Sequence, residues 1–163
     1  MATELLRLLN VDTDDLGDWQ DEAPVKEIKE DKNLGETEKA QLIKARAGQG
    51  IYRKNVSDIE KGCRVTGTDD AKFLIASHIK PWAKSTNKER LDGSNGLMLA
   101  PHIDRLFDRG YISFEDDGGL ILSKKLPDAV RLKWDVAQKI PRVAFSAAQA
   151  QYLNYHRNLL LRK

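Results

Sequence analysis

The chain has little of several residue types, and each shortage narrows what it can be. It holds one cysteine, Cys63, among 163 residues. A lone thiol forms no internal disulfide and no cysteine-rich zinc site, and it fits a reducing compartment. No apolar run approaches the roughly 20 residues that a membrane-spanning helix needs. The opening Met1-Ala2-Thr3-Glu4-Leu5-Leu6 lacks a basic stretch ahead of a long apolar one, so it does not read as a secretory signal. These shortages predict a cytoplasmic protein with no membrane partner. Internal repeats are absent too. What remains is 40% hydrophobic and 32% charged, the balance of a globular chain rather than a disordered one. Its length suits one compact domain with an appendage.

The net charge of +2 hides an asymmetry. Residues 1–38 carry four basic residues against twelve acidic ones, a net of −8, and residues 39–163 carry 23 against 13, a net of +10. A basic body can hold a polyanion through phosphate contacts, or it can simply be a solvated surface.

Along the chain, Thr3–Leu9 fits a short amphipathic helix, and the acidic Asp12–Glu22 reads as a linker or arm. Helices are expected over Glu36–Arg46 and Ile51–Glu60, separated by Gly48-Gln49-Gly50. Cys63–Thr68 reads as a short strand and turn, and Phe73–Ile79 as an apolar strand stopped by Pro81. Lys84–Gly93 is a polar loop. Asn95-Gly96 is a turn signal ahead of a strand over Leu97–Leu99. Pro101 and Gly110 bracket a short helix, His102–Arg109. Tyr111–Phe114 and Leu120–Leu122 flank a hairpin turn. Ser146 and Gln149 have the spacing of a capping box opening a last helix with Tyr152, Leu153, Tyr155 and His156.

The central order is therefore strand, loop, strand, short helix. Pairing the strands and packing the helix on them would gather His78, Asn95, His102 and Asp104 at one end. An imidazole there can take a proton from water. A carboxylate or second imidazole can hold a divalent cation, and a carboxamide can lock either in place. Those are parts for metal-assisted phosphodiester hydrolysis. The plain alternatives are a satisfied core histidine at 78, a turn residue at 95 and a surface residue at 102.

Three segments, Ala76-Ser77-His78-Ile79-Lys80-Pro81-Trp82, Ser94-Asn95-Gly96-Leu97-Met98-Leu99 and Pro101-His102-Ile103-Asp104-Arg105-Leu106-Phe107-Asp108-Arg109-Gly110, resemble the signature of HNH endonucleases. The nearest subgroup is that of bacterial restriction endonucleases. Arg46–Arg53 and the terminal Tyr152–Arg157 extend the resemblance over most of residues 38–160. It implies an α+β fold, with a ββα-metal core, flanking helices and a C-terminal β-hairpin. Residues 1–35 would be an acidic arm or linker and 36–163 the nuclease domain. The resemblance makes His78 the general base and Asn95 the brace of the motif. The helix would supply metal ligands and lie against the DNA minor groove. The cofactor would be one divalent ion, Mg²⁺ or alternatively Mn²⁺. Arg46, Arg53, Lys80 and Arg105 form the expected DNA-contact set, although Arg46, Arg53 and Tyr52 could equally brace helices.

The chain departs from the pattern at the metal end. Asp104 occupies the usual third-histidine position, with His102 two residues earlier. The expected ligands are Asp104 and His102, with a phosphate contact as the other role for His102. Two helical residues lie about 200° apart, so both face one ion only if the helix is just starting there. Asp108 could join the site or cap local backbone. Ser77 stands where many relatives carry an acidic ligand. The positions of a structural zinc brace correspond to Cys63, Thr66, Ala100 and Ile103, so no structural zinc is expected. A single site cuts one strand, so double-strand cleavage requires a homodimer or two nicks. The arm would shield the basic body or link it to a recognition domain or partner. A nicking or toxin-type nuclease, and a DNA-binding module that does not cleave, are the alternative readings.

Overall fold

The computed structural model describes residues 22–163. The helix expected over Thr3–Leu9 and residues 12–21 of the expected linker lie outside them. Helix α1, Glu22–Glu30, occupies sequence that reads as arm and linker, yet it buries Ile28 against α2, Glu36–Arg46. Helix α2 buries Leu42 and Ala45 and ends where Gly48 takes a φ of +63°. Helix α3, Gly50–Ile59, follows. No helix among the described residues is long and apolar enough to cross a membrane.

The central unit is an antiparallel pair, β1 Ile75–His78 and β2 Gly96–Leu99, followed by α5, Pro101–Asp108. Ile75 pairs with Leu99 and His78 with Gly96. Tyr52 and Val56 of α3 pack on this pair, and α5 also packs against β1. Helix α5 starts with Pro101, whose missing N–H costs nothing in a first helical turn. It buries Ile103, Leu106 and Phe107. A second antiparallel pair, β3 Ile112–Phe114 and β4 Leu120–Leu122, joins the core beyond α5. Two more helices follow it, α6 Asp128–Lys133 and α7 Ala147–Leu159. The capping box at Ser146 and Gln149 closes in both directions and opens α7, which buries Leu153 and His156.

The structure corrects several local expectations. Cys63–Thr68 is a closed turn rather than a strand. The Cys63 N–H donates to Thr68 O and the Gly67 N–H to Cys63 O, both at 2.8 Å, leaving no ladder to pair with. Glu60 is buried and takes a forked ion pair from Arg64 plus a hydrogen bond from the Gln149 amide of α7, so this carboxylate links the turn to the last helix. Phe73 belongs to a 3-10 turn, Ala71–Phe73, and is exposed. The polar loop contains α4, Asn87–Leu91, opened by a capping box between Thr86 and Glu89. Gly96 is not a turn residue. Its backbone is extended, and a Cβ there would meet Val56 Cγ2 at 2.4 Å and the Tyr52 hydroxyl at 2.5 Å. Glycine is needed because α3 packs directly on the start of β2.

Gly96→Ala is therefore expected to lower unfolding free energy by about 1–3 kcal/mol, the usual cost of forcing volume into a packed core. Urea unfolding at constant m-value reads it, and a midpoint unchanged from the parent chain would contradict the packing account.

Candidate active site

His78 sits at the end of β1, where the sheet gives way to the loop over residues 79–95. Its Nε2 lies 3.0 Å from the carbonyl oxygen of Arg90. A carbonyl only accepts, so Nε2 carries the proton and Nδ1 keeps its lone pair. Nδ1 has no hydrogen-bond partner among the described residues. The imidazole stacks on Tyr52, ring centroids 3.8 Å apart and planes 3° from parallel. Tyr52 is fully buried and donates to Asn95 O at 3.0 Å. Burial holds its phenol well above the usual range, and the Asp104 and Asp92 carboxylates add to that. Burial also pushes His78 down to about 4, partly opposed by the Arg90 carbonyl. The ring is neutral at pH 7.

Asn95 does not reach open space. It is completely buried, and its carboxamide is committed to the loop. Oδ1 accepts from the Lys80 N–H at 2.8 Å, while Nδ2 donates to Glu89 O at 3.1 Å and to Lys80 O and Ser85 Oγ at 3.3 Å each. It braces the loop from inside. By holding the Glu89 carbonyl it fixes the neighbouring Arg90 carbonyl that orients His78.

An open cleft of about 550 Å³ runs along β1. All four β1 residues line it, as the free edge of a two-stranded sheet allows. Arg46, Gly48 and Trp82 line it too, as do Asp104 and Asp108 of α5. A Cβ on Gly48 would lie 2.4 Å from Ala76 O, so glycine lets the loop after α2 close against the strand.

The structure separates the sequence-predicted site residues. His78, Asp104 and Arg46 share the cleft, and Asp108, one helical turn from Asp104, joins them. His102 does not. The 200° between helix positions two apart turns it out of the cleft, where its ring meets Trp134 edge-on at 6.3 Å. Arg53 is spent on structure, its guanidinium donating to Leu74 O and Ala71 O. Lys80 is held by Glu89 at 2.7 Å, with its ammonium 5.5 Å from the centre of the Tyr155 ring. Arg105 is exposed on α5 but does not line the cleft. Cys63, Ala100 and Ile103 are buried among apolar side chains.

His156 contrasts with His78. Its Nδ1 accepts from Ser113 Oγ, its Nε2 donates to Phe107 O, both at 2.9 Å, and its ring stacks on Phe107. It is a satisfied core histidine, also pushed down to about 4 by burial. Both imidazoles are neutral when folded and regain an ordinary pKa near 6.5 when unfolded. Unfolding therefore takes up protons as pH falls below about 6.5. The stabilisation is full above that value and drains away toward pH 4. Between about pH 6.5 and 5, stability is expected to drop with a slope approaching two protons. His78→Ala should reduce the slope by one, as read from urea midpoints against pH, and an unaltered slope would contradict it.

No curated protein matches the chain. Residues 63–115 match the family model described as HNH endonuclease, a stretch that contains His78, Asn95, Asp104 and Asp108. The matched segment builds the β1–β2–α5 unit and lines most of its cleft, and over this stretch the chain is similar to HNH endonucleases.

Proposed function

We propose that the protein is a metal-dependent DNA endonuclease in which His78 is the general base. One observation carries this reading. The His78 Nε2–H is anchored to Arg90 O, and its neutral ring borders the same cleft as Asp104 and Asp108. The β1–β2–α5 unit would be the ββα-metal core, within a nuclease domain spanning residues 36–163 and preceded by an acidic arm.

Among the described residues no three metal-capable side chains gather closely enough to enclose an ion. Two carboxylates bordering an open cleft still fit Mg²⁺ or Mn²⁺. Such ions are commonly held by one or two carboxylates, with water and substrate phosphate completing the shell. Asp104 would hold the ion, with Asp108 as its partner. When bound, it would neutralise charge developing on the phosphate and stabilise the leaving 3′ oxygen.

The chain's own residues account for the remaining steps. Arg46, exposed at the cleft wall, draws the backbone phosphate in. Tyr52 and the Arg90 carbonyl keep the imidazole from rotating. His78 Nδ1 takes the proton from an attacking water, and the Nε2–H bond to Arg90 O steadies the imidazolium that forms. We place the activity in restriction or host defence on the resemblance of the motifs, with the arm as link to a recognition domain or partner.

A positioned base contributes roughly 10²–10⁴-fold. His78→Ala is expected to lower plasmid nicking by about that factor while DNA still binds. EDTA should stop the parent chain and Mg²⁺ or Mn²⁺ restore it. Asp104→Asn should raise the metal concentration needed for half-maximal cutting. Cleavage by His78→Ala at the parent rate would overturn the mechanism. A parent chain that retards DNA without cutting it under any metal would identify a binding module.

A further inference from the structure

Three features lie outside the site just described: the exposed Phe73 turn, an apolar hollow beside Cys63, and the face where α5 meets the end of α6. The last carries an inference. Helix geometry orders the solvent side of α5. Asp104 and Asp108 face the cleft, Arg105 is about 100° further round, and His102 about 160°. At that far side His102 meets Trp134, the residue that ends α6.

Trp134 is 41% exposed and Leu132 is 70% exposed. A hydrogen-bonded stop fixes the tryptophan. The Val136 N–H reaches back to Arg131 O at 2.9 Å, and Asp135 takes a φ of +50°, a backbone normally left to glycine. Val136 is buried just beyond and Lys139 pairs with Asp135, so the turn is held from both sides. Arg131, three residues before Trp134, neighbours it on the helix surface. The Arg131 pairing with Asp128 is loose, at 3.9 Å, and Lys133 has no ion-pair partner among the described residues. Trp134 is thus an anchored, half-exposed indole beside His102, with Arg131 and Lys133 on the short helix that it caps and Arg105 exposed on α5 between His102 and the cleft face.

The geometry points to this face, Trp134 and His102 with Arg105, Arg131 and Lys133, as a second DNA-contact site. It takes the sugar-phosphate backbone of the strand on one side of the scissile bond. The cations meet phosphates and the rings pack on deoxyribose. The inference rests on the nuclease reading and adds a residue, Trp134, and an element, α6, that the reading does not use. A helix is about 10 Å across, so the site lies about three nucleotides from the cut at 3.4 Å each.

The test uses full-length chain in a His78→Ala background for binding and an otherwise unaltered chain for cleavage. The DNA is a duplex of about 30 base pairs whose cut position has been mapped, together with versions shortened from either side to within two nucleotides of it. Trp134→Ala is expected to weaken binding of the long duplex about tenfold, on the scale of losing one aromatic contact to nucleic acid. KM should rise with kcat unchanged, and Trp134→Phe should retain most of the affinity. Shortening one side, and not the other, should erase the difference between Trp134→Ala and its parent. Lys133→Ala should lower the salt slope of binding by about one. Parental affinity of Trp134→Ala for the long duplex would overturn the proposal. So would a defect that survives shortening from both sides. A changed oligomeric state with DNA binding intact would also overturn it and assign the face to a second copy of the chain. Failure of the parent to bind any DNA would overturn the nuclease reading as well, whereas an unchanged KM in Trp134→Ala overturns this inference alone.

Discussion

The buried carboxamide of Asn95 carries the loop on which His78 depends. Its oxygen and nitrogen clasp the backbone at Lys80 and Glu89, at the start of and within the detour that leaves β1 and returns to β2. A buried polar network is stable only when its members are satisfied. Here the backbone carbonyl of Asn95 is used as well, by the Tyr52 hydroxyl and the Ile79 N–H. One residue thus sets both surfaces that confine the imidazole, the Arg90 carbonyl at its edge and the Tyr52 ring on its face. Substituting Asn95 would leave its partners unpaired in the interior and loosen the loop that holds the His78 ring.

The cleft separates charges by face. Helix α5 presents carboxylates to the cleft, Arg105 and His102 away from it, and apolar residues to the core. Eight residues serve three environments because helical rotation distributes them at 100° steps. The same rotation that removes His102 from the cleft brings in Asp108. The cleft is therefore richer in carboxylate than the motif spacing alone implies, which would suit the hard, water-retaining cation of the proposed reading.

Much of the site was legible in the sequence because strand, turn and cap signals are local. The β1 and β2 positions, the Pro101 start and the Ser146–Gln149 cap all follow from short-range chemistry. Long-range partners were not legible. Nothing local to Tyr52 says that it stacks on His78, and nothing near Arg53 says that the carbonyls of residues 71 and 74 would use up its guanidinium. Gly96 follows an asparagine and so reads as a turn, but its requirement comes from α3, some forty residues away. Helix α4 is the exception, since Thr86 and Glu89 have capping-box spacing that was there to be read. Helix α6 is too short for its periodicity to stand out.

The burial of His78 beneath Tyr52 has a thermodynamic consequence for the proposed chemistry. A ring whose protonated form is disfavoured down to about pH 4 is a feeble proton acceptor toward water. Its handicap is solvation, and a bound polyanion removes part of it, because negative charge near the imidazole favours the imidazolium. On the proposed reading, phosphate arriving in the cleft would raise the affinity of His78 for a proton. The resting ring would stay neutral, and the substrate would supply the field that favours its charged form.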